Sequence, residues 1–500
     1  MSATLPNDLK ARPAWTPARM VLLDIDGLRY DVFQDALQAG RIPNLAGLLG
    51  GQRLEKGIQF NAISTLPSIT YTCQASTATG SHPRQHWIAG NMFFDRFGRL
   101  NNGKPRKYQF DFLDAPAVFM KGLAGEAINP EIDTIYETAR RYGRTSTVAF
   151  NMYALGATHW LKPGLDDWRL FASVTQKDFG EKYDAYMVQD VLRHLQEGHR
   201  PDLLMLYFFG LDHESHLHGP QVQESYLTEV IDRQVGEFLE AYQQLGLMPG
   251  TAFCIFSDHG QIAVQNDDLH ALKVGFLFDR EYGYVFEGLD IDVDDAPLEN
   301  ANCDAILCPN GGMAHVYLRK KGESWQEPPQ FDEVQRLAHA FWESNQDGKY
   351  SQELKGALSL IALRDVEHEG WYAKYFIYTP EALHPIETFE AMHPELQLQD
   401  AGSRLHYLTS PVSGDILLFA NYREGYSFSL LPYKGIHGGL HPEDSQAVLA
   451  FGFPTASPDQ VEALKGALST AVSQRCRAEG RQPSNADVAL GVRLVMGWDG

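Results

Sequence analysis

The sequence predicts an α/β fold with a mostly parallel central sheet, helices on both faces of that sheet, and an inserted α+β cap. Three observations predict this class. Short apolar runs typical of buried parallel strands recur along the chain, helical patterns lie between them, and polar residues that can bind metals follow several of the runs directly. Because ligands bind beyond the carboxyl ends of parallel strands, the same order predicts where a functional site lies.

The predicted strands are short and almost continuously apolar, as expected of strands buried on both faces. They cover residues 20–26, 145–151, 202–210, 251–258 and 447–453. Helical patterns at 132–143 and 222–246 lie between them. The longer pattern carries apolar residues at helical spacing, namely Val222, Tyr226, Val230, Val235, Phe238, Leu239 and Tyr242. Strands that alternate with helices indicate an α/β domain.

The alternation stops between about residues 265 and 410. This stretch contains acidic loops and isolated candidates for regular structure: a strand at 315–320, a helix at 331–343 and an aromatic segment at 370–378. The apolar segment 414–421 is predicted to bring the chain back to the core. The predicted domains are an N-terminal extension at 1–19, a metal-binding core at 20–264 and 411–500, and a cap insertion at 265–410.

Net charge and hydropathy exclude some function classes. The chain has 500 residues and a formal net charge of −22, so it is unsuited to wrapping the phosphate backbone of long nucleic acid. Metal ions held by carboxylates would still attract a small anionic substrate. No run of about 18 apolar residues appears, and the N-terminus lacks the apolar centre of an export signal. We therefore expect a soluble, cytoplasmic protein without a membrane partner.

The cysteines do not indicate a structural framework. The five cysteines are an odd number and form no CxxC pair, which disfavours disulfides or a cysteine zinc site. The sequence does not indicate an oligomeric state.

The first candidate ligand is Asp26. The segment DIDG places Asp24 and Asp26 at the end of a predicted strand, directly before Gly27. A glycine lets the backbone turn sharply and leaves a carboxylate exposed. Asp26 is the better candidate because it lies nearest the turn; a helix cap or a solvated loop is the alternative.

A candidate nucleophile follows at Thr70, where we expect a helix that ends near Gly80 to begin. A helix start presents free N–H groups and the positive end of the helix dipole, which favour a phosphate group and a developing alkoxide. A hydroxyl bound there to a metal would act as a nucleophile, whereas a simple N-cap is the alternative. Thr65, Ser68 and Thr72 are rivals.

A histidine-rich segment follows the third predicted strand. Asp212 and His216 are four residues apart, so they lie on one face if the segment is helical. A carboxylate and an imidazole with this spacing suit zinc or another first-row metal. His213 and His218 are competitors that face in other directions.

Two further segments offer ligands next to glycines. Asp258 and His259 follow a predicted strand and precede Gly260, which lets the chain leave regular strand pairing so that both side chains can reach one metal. His437 lies among glycines that permit close approach of the backbone, and His441 is its alternative. A flexible solvent loop would have the same composition.

Taken together and in this order, the motifs resemble the alkaline phosphatase superfamily, and within it the type I phosphodiesterase and nucleotide pyrophosphatase family, with phosphonoacetate hydrolase as a close relative. The similarity covers about residues 20–265 and 411–455 and rests on DIDG, PSIT, GNMFFD, DHESH, SDHG and IHGGL. It implies an alkaline phosphatase-like core and a nucleophile at Thr70. Asn91 matches the asparagine that helps to hold a phosphoryl oxygen in this family.

The resemblance implies two zinc ions, with manganese as the alternative metal. One ion would be held by Asp212, His216 and His437, and the other by Asp26, Thr70, Asp258 and His259. The implied reaction is attack of the Thr70 alkoxide on phosphorus, followed by hydrolysis of a phospho-threonine.

The substrate implied by the resemblance is a small phosphodiester, nucleotide pyrophosphate or phosphonate. Many nucleotide pyrophosphatases carry T-F-P-N at the nucleophile, whereas Thr70 is followed by Tyr71, Thr72 and Cys73, which weakens the nucleotide assignment. The alternatives are a phosphomonoesterase or phosphomutase of the same superfamily, or a non-catalytic ligand-binding member. A sulfatase is disfavoured because Cys73 is not part of a C/S-x-P-x-R motif.

Other residues near the motifs have ambiguous roles. Arg29, Arg84 and Arg96 could add positive charge, although each is expected to be a surface ion-pair partner. Phe93 and Phe94 could form an apolar wall for a leaving group, with core packing as the expected role for at least one of them.

Overall fold

The computed structural model describes residues 16–163, 178–272, 283–294, 303–429 and 431–498. Its strands are β1 Arg19–Ile25, β2 Gly57–Ile63, β3 Met92–Asp95, β4 Arg106–Gln109, β5 Ser146–Ala149, β6 His159–Leu161, β7 Leu203–Phe208, β8 Thr251–Phe256, β9 Ile262–Ala263, β10 Val293–Asp294, β11 Ala305–Asn310, β12 Met313–Leu318, β13 Leu358–Arg364, β14 Tyr375–Tyr378, β15 Leu383–His384, β16 Ile416–Ala420, β17 Gly435–Ile436 and β18 Gln446–Gly452. Most of the predicted N-terminal extension and part of the acidic loops lie outside the described residues.

The α-helices are Tyr30–Gln38, Pro43–Leu49, Thr70–Thr79, Pro83–His86, Ala115–Lys121, Leu123–Ala127, Ile135–Arg141, Phe179–Gln196, Gly210–His218, Gln223–Tyr226, Asp232–Gln244, Gly283–Glu287, Phe331–Asp347, Val366–Glu369, Ile386–Met392, Ala401–Leu408, Pro442–Ser445, Pro458–Glu479 and Asp487–Met496. A π-helical turn at Leu227–Ile231 interrupts the long helix predicted for 222–246. Within the described ranges, no helix is both long and apolar enough to cross a membrane.

The first sheet has the strand order β2-β18-β8-β1-β7-β5-β6. From β8 to β6 all neighbours are parallel, so these strands end at the same edge of the sheet. The five strands predicted from apolar runs all lie in this sheet, although β18 runs antiparallel to both of its neighbours. The edge strands β2 and β6 escaped prediction because both are partly exposed and lack a continuous apolar run.

Helices cover both faces of the first sheet. Val21 and Leu23 of β1 pack in one core with the helix Phe179–Gln196, whereas Leu22 packs in another core with the helix Asp487–Met496. Full burial of each such side chain contributes roughly 1.5–3 kcal/mol to stability. This arrangement confirms the predicted α/β class with its mostly parallel sheet.

A second sheet lies mainly within the segment predicted as the cap. Its order is β10-β11-β12-β16-β13-β14-β15, and all pairs except β10 with β11 are antiparallel. The prediction that residues 414–421 return to the core was wrong, because β16 pairs with β12 and β13. A fully buried apolar strand carries no local feature that distinguishes one sheet from another. The chain re-enters the first sheet at β18, and the division into domains stays a prediction.

The second sheet packs against the helix that begins at Thr70. Tyr71 and Ala75 of this helix share an apolar core with Met313 of β12 and Leu417 of β16. Every residue of the helix is buried. The start of the helix is therefore held between the two sheets.

Arg96 differs from its predicted surface role. It is fully buried, donates a hydrogen bond to the carbonyl of Leu318 at 3.0 Å, and forms an ion pair with Asp415. Arg29 pairs with Glu443 near the surface, as expected. Arg96 therefore joins the loop after β3 to the second sheet.

The two phenylalanines of β3 are both core residues. Phe93 stacks on Tyr108, and Phe94 contacts Trp325 edge to face. Both side chains are buried, which agrees with the expectation that at least one of them packs in a core.

Candidate two-metal site

The predicted ligands converge at the C-terminal edge of the first sheet. β1 lies between β8 and β7. Asp26 follows β1 directly, Asp258 and His259 follow β8, and the helix Gly210–His218 begins just after β7. Because parallel strands end at one edge, these segments meet there.

One cluster consists of Asp26, Asp258 and His259, all of them buried. Nε2 of His259 lies 3.4 Å from Oδ1 of Asp26 and 3.4 Å from Oδ2 of Asp258. Oγ1 of Thr70 lies 3.2 Å from the same nitrogen. Four side chains thus direct oxygen or nitrogen atoms towards one point.

The other cluster consists of Asp212, His216 and His437. Nε2 of His216 lies 3.3 Å from Oδ2 of Asp212 and 3.1 Å from Nε2 of His437. Nε2 of His437 lies 3.6 Å from Oδ1 of Asp212. Since residues 210–218 form a helix, Asp212 and His216 share one face, as their spacing predicts. The rings of His437 and His259 stack with centroids 3.7 Å apart, so the two clusters adjoin.

The three histidines are oriented by the same kind of hydrogen bond. Each Nδ1 lies within hydrogen-bond distance of a backbone carbonyl: 2.8 Å for His216 to Gly435, 2.9 Å for His259 to Gly260, and 2.8 Å for His437 to Ser68. A carbonyl only accepts, so Nδ1 carries the proton and Nε2 presents a lone pair. Metal-binding histidines in proteins are held in this way.

The donor atoms fit divalent cations. The Nε2 atoms of His216 and His437 face one another at 3.1 Å, and two lone pairs at this distance repel each other unless a proton or a metal cation lies between them. Oδ1 of Asp26 and Oδ2 of Asp258 are buried and have no hydrogen-bond partner in the described part of the chain. Burial of a charged oxygen without a partner is costly, and a bound cation would remove this cost. Imidazole and carboxylate ligands suit zinc and other first-row metals.

Burial and neighbouring charges shift the pKa values of the ligands. Burial, together with the nearby Asp258, raises the pKa of Asp26 well above its usual value. Burial also lowers the pKa of His437 well below its usual value. At Asp212, burial by itself would raise the pKa, but His216, His437 and His259 together outweigh burial, so the pKa is lowered. Positive ions would relieve the crowding of carboxylates.

Thr70 is the first residue of its helix, as predicted, and the helix ends at Gly80 in the left-handed conformation. Because Nδ1 of His259 carries the proton, the Thr70 hydroxyl donates its hydrogen bond to Nε2 of that ring. The rival hydroxyl groups have other environments: Thr65 donates to Asn485, Ser68 donates to the carbonyl of Gly439, and Thr72 is fully buried. The structure thus brings Thr70, and not its rivals, to the first cluster.

Asn91 lies beside the start of this helix. Its side-chain oxygen accepts a hydrogen bond from the N–H of Tyr71 at 3.1 Å, and its Nδ2 donates to Asp111 at 3.3 Å. The amide group is therefore close to Thr70, as the resemblance implies.

The rival ligands lie outside both clusters. Asp24 accepts a hydrogen bond from Asn151. His213, His218 and His441 contact Phe179, Glu214 and Gln397, respectively.

Two residues that hold the candidate ligands were missed by the sequence analysis. The hydroxyl of Tyr207 on β7 donates a hydrogen bond to Oδ2 of Asp26. Nε2 of Gln261 donates to both Oδ1 and the carbonyl of Asp212. Tyr207 lay within an apolar run and Gln261 directly after the DHG motif, and neither position by itself indicates a function.

Arg404 is a third residue that the sequence analysis missed. It lies in the segment predicted as the cap and is buried. Its guanidinium donates to the hydroxyl of Ser68 and to the carbonyl of Gly439. Arg404 therefore joins the loop before Thr70 to the loop after His437.

Comparison with known proteins identifies the family of this chain. A model of the type I phosphodiesterase / nucleotide pyrophosphatase family matches residues 20–429. The chain belongs to this family. A curated family relative, an uncharacterized pyrophosphatase/phosphodiesterase of Schizosaccharomyces pombe, is 24% identical over 254 residues. That match covers 50% of this chain and 46% of the yeast protein, so the chain spans about half the length of that relative.

Solved structures of the family share the fold. Murine ectonucleotide pyrophosphatase/phosphodiesterase 5 superposes with a TM-score of 0.54 at 15% identity, covering 93% of this chain and 95% of that chain. The human protein of the same name gives 0.53 at 14%, covering 93% and 96%. An inactive threonine-to-alanine variant of the murine protein, in complex with AMP, gives 0.53 at 15%, with the same coverage as the human protein. These similarities confirm the predicted alkaline phosphatase-like fold.

Proposed function

We propose that this chain is a two-metal hydrolase that cleaves a phosphodiester, nucleotide pyrophosphate or phosphonate bond through a phospho-threonine at Thr70. The observation that carries the proposal is the Thr70 hydroxyl, 3.2 Å from Nε2 of His259 and beside two adjoining clusters of metal-ligand side chains. Membership of the family supports the reaction class. Zinc is the proposed metal, and manganese is the alternative.

The ligand sets are those implied by the resemblance. One metal would be held by Asp26, Thr70, Asp258 and His259, and the other by Asp212, His216 and His437. When bound, two divalent ions supply positive charge that lowers the pKa of the threonine hydroxyl and offsets negative charge on the phosphoryl oxygens.

In the proposed reaction, Oγ1 of Thr70 attacks phosphorus. A bond forms between this oxygen and phosphorus while the bond to the leaving group breaks, and water later breaks the phospho-threonine bond. The helix start beneath Thr70 favours negative charge at that position. Nδ2 of Asn91 is the proposed donor to a phosphoryl oxygen, which would replace its hydrogen bond to Asp111.

The substrate class is supported by a relative. The murine protein that binds AMP is inactive when a threonine is replaced by alanine. The bound AMP supports a phosphate ester substrate for this chain, and the inactive variant supports a nucleophilic threonine. Because Thr70 is not followed by F-P-N, we do not restrict the leaving group to a nucleotide.

The test is turnover of the zinc-loaded protein on a nitrophenyl phosphate monoester, a bis-nitrophenyl diester and a nitrophenyl phosphonate. We expect the diester or the phosphonate to be cleaved fastest. Thr70→Ala should lower kcat by at least about 10³-fold, as does loss of other nucleophiles. Thr70→Ser is the matched control, since it keeps a hydroxyl and should retain part of the activity.

Each alternative predicts a different result. Preference for the monoester would indicate a phosphomonoesterase, and phosphoryl transfer within one substrate would indicate a phosphomutase. Ligand binding without turnover in both the wild type and Thr70→Ala would indicate a non-catalytic member. Unchanged turnover in Thr70→Ala, with metal content intact, would refute the assignment of the nucleophile.

A further inference from the structure

Three histidines form a separate cluster at the N-terminal ends of the parallel strands of the first sheet. His159 is the first residue of β6 and pairs with Thr147 of the parallel strand β5, so it lies at the N-terminal ends of these strands. His194 lies in the last turn of the helix Phe179–Gln196, and His199 lies in the loop that follows. The candidate two-metal site lies at the C-terminal edge of the same sheet.

The three imidazole rings pack closely together. The centroid of His159 is 4.9 Å from that of His194 and 4.6 Å from that of His199. The rings of His194 and His199 stack with centroids 4.0 Å apart and an angle of 8° between their planes. Two protonated rings in this arrangement would repel each other, and neutral imidazole is the form that binds metals.

The positions of the ring nitrogens suit a metal ion. One nitrogen from each ring can be chosen so that all three lie within 4.8 Å of one another. In tetrahedral zinc coordination with bonds of about 2.0–2.1 Å, neighbouring nitrogens are about 3.4 Å apart. Small rotations of the three side chains would bring the nitrogens to this shorter separation. His159 and His199 are partly exposed, so a metal has access from solvent and a water can serve as a fourth ligand.

The environment of His194 supports this role. Its Nε2 forms a hydrogen bond of 3.1 Å with the buried Thr147 hydroxyl, which fixes the orientation of the ring. Burial, together with His199 and His159, lowers the pKa of His194 to about 4.

We propose that His159, His194 and His199 form a third metal site for Zn²⁺ or another first-row divalent cation that prefers imidazole. Its role is structural: the metal joins the edge strand β6 to the end of the helix Phe179–Gln196. An edge strand has unpaired backbone groups on one side, and a metal clip would hold it in register.

The test measures zinc bound to tag-free protein after dialysis against a small molar excess of Zn²⁺ and gel filtration. We expect wild type to retain one more zinc per chain than His199→Ala and than His159→Ala. His393→Ala, a substitution of an exposed histidine on the second-sheet side, is the control and should bind as much zinc as wild type. Nitrophenyl ester turnover should be the same in His199→Ala and wild type, because the cluster is remote from Thr70.

A second measurement detects binding independently of zinc counts. Adding Zn²⁺ to the double variant Asp212→Asn/Asp258→Asn, which weakens both clusters of the other site, should still raise its Tm, and adding His199→Ala to that variant should remove most of the shift. Equal zinc content in wild type, His199→Ala and His159→Ala, all with wild-type circular dichroism, would overturn the proposal. Failure of the proposed hydrolase reaction would leave this difference in zinc content unchanged, so the two ideas are tested separately.

Discussion

The hydroxyl of Tyr207 donates a hydrogen bond to Oδ2 of Asp26, so the two oxygens of this carboxylate have different roles. Oδ1 faces Nε2 of His259 at 3.4 Å and is the atom left for a metal. Tyr207 lies on β7, the parallel neighbour of β1, so its ring is fixed by the sheet itself. This is an outer hydrogen bond of the kind that sets the direction of a metal ligand.

We therefore expect Tyr207→Phe to weaken metal binding at the first cluster. Loss of an outer hydrogen bond typically costs about 10–100-fold in metal affinity or activity. Zinc affinity measured against a competing chelator, and kcat at saturating zinc, would show the effect. Tyr136→Phe is the matched control, because Tyr136 is also buried and its hydroxyl makes no hydrogen bond in the described part of the chain. Equal zinc affinities of the two variants would contradict the role of Tyr207.

Gly27→Ala should damage the second cluster. Gly27 has φ of +70°, and a Cβ there would lie 2.8 Å from Oδ1 of Asp212. The methyl group must displace this carboxylate, so we expect loss of the metal held by Asp212, in addition to a backbone cost of roughly 1–2 kcal/mol. Gly246→Ala separates the two effects: Gly246 also has φ of +70°, but a Cβ there would meet no atom of a more distant described residue within 4 Å. Metal analysis and denaturant unfolding of both variants separate loss of metal from loss of stability. Equal metal content in Gly27→Ala and Gly246→Ala would contradict the predicted clash with Asp212.

Removal of metal should abolish turnover reversibly. The first cluster contains buried carboxylate oxygens without partners among the described residues, so the metal-free protein should also have a lower Tm. The measurement is activity and Tm after treatment with a chelator and after adding back zinc or manganese. His437→Ala should lose one metal and Asp258→Asn the other, which assigns the ions to the clusters. Full activity in thoroughly chelated protein would refute metal dependence.

Asp184 should make stability depend on pH. This buried carboxylate accepts hydrogen bonds from the N–H of Gly210 at 3.1 Å and from the hydroxyl of Tyr226 at 2.9 Å. Burial raises its pKa to about 7, against about 3.9 in an unfolded chain. A raised pKa means that the folded state favours the protonated form of Asp184. The contribution of this group to the free energy of unfolding is therefore complete below about pH 4. It falls by about 1.4 kcal/mol per pH unit up to about pH 7 and is constant above that pH.

Asp184→Asn cannot ionise and keeps an oxygen that accepts from Gly210. The difference in unfolding free energy between wild type and this variant should therefore shift in favour of the variant as the pH rises from 4 to 7. Urea unfolding at several pH values, with zinc held constant, measures the difference. Parallel pH profiles of the two proteins would show that Asp184 titrates normally in the fold.

Much of the fold followed from local patterns. Continuous apolar runs identified β1, β5, β7, β8 and β18, because strands buried on both faces need such runs. The same argument assigned β16 to the first sheet, although it pairs in the second. Strands of both sheets are buried, so burial did not distinguish them. The edge strands β2 and β6 carried too little apolar sequence to be recognised.

The candidate ligands followed from their chemistry and their position after strands. The spacing of Asp212 and His216 placed both on one face if the segment was helical, and residues 210–218 form a helix. The helix predicted to begin at Thr70 and to end near Gly80 is also present. The choice of Thr70 over Ser68, and of His437 over His441, needed the resemblance to a family.

The sequence by itself determined the α/β class, the order of the candidate ligands and the position of the candidate nucleophile at a helix start, because strand burial, helical spacing and glycine turns are properties of neighbouring residues. Only the tertiary structure decided that His216 meets His437, 221 positions away, and that Tyr207, Gln261 and Arg404 hold the ligands and the loops in place. Such contacts depend on how strands and loops pack, and packing joins residues whose separation in the chain leaves no local pattern.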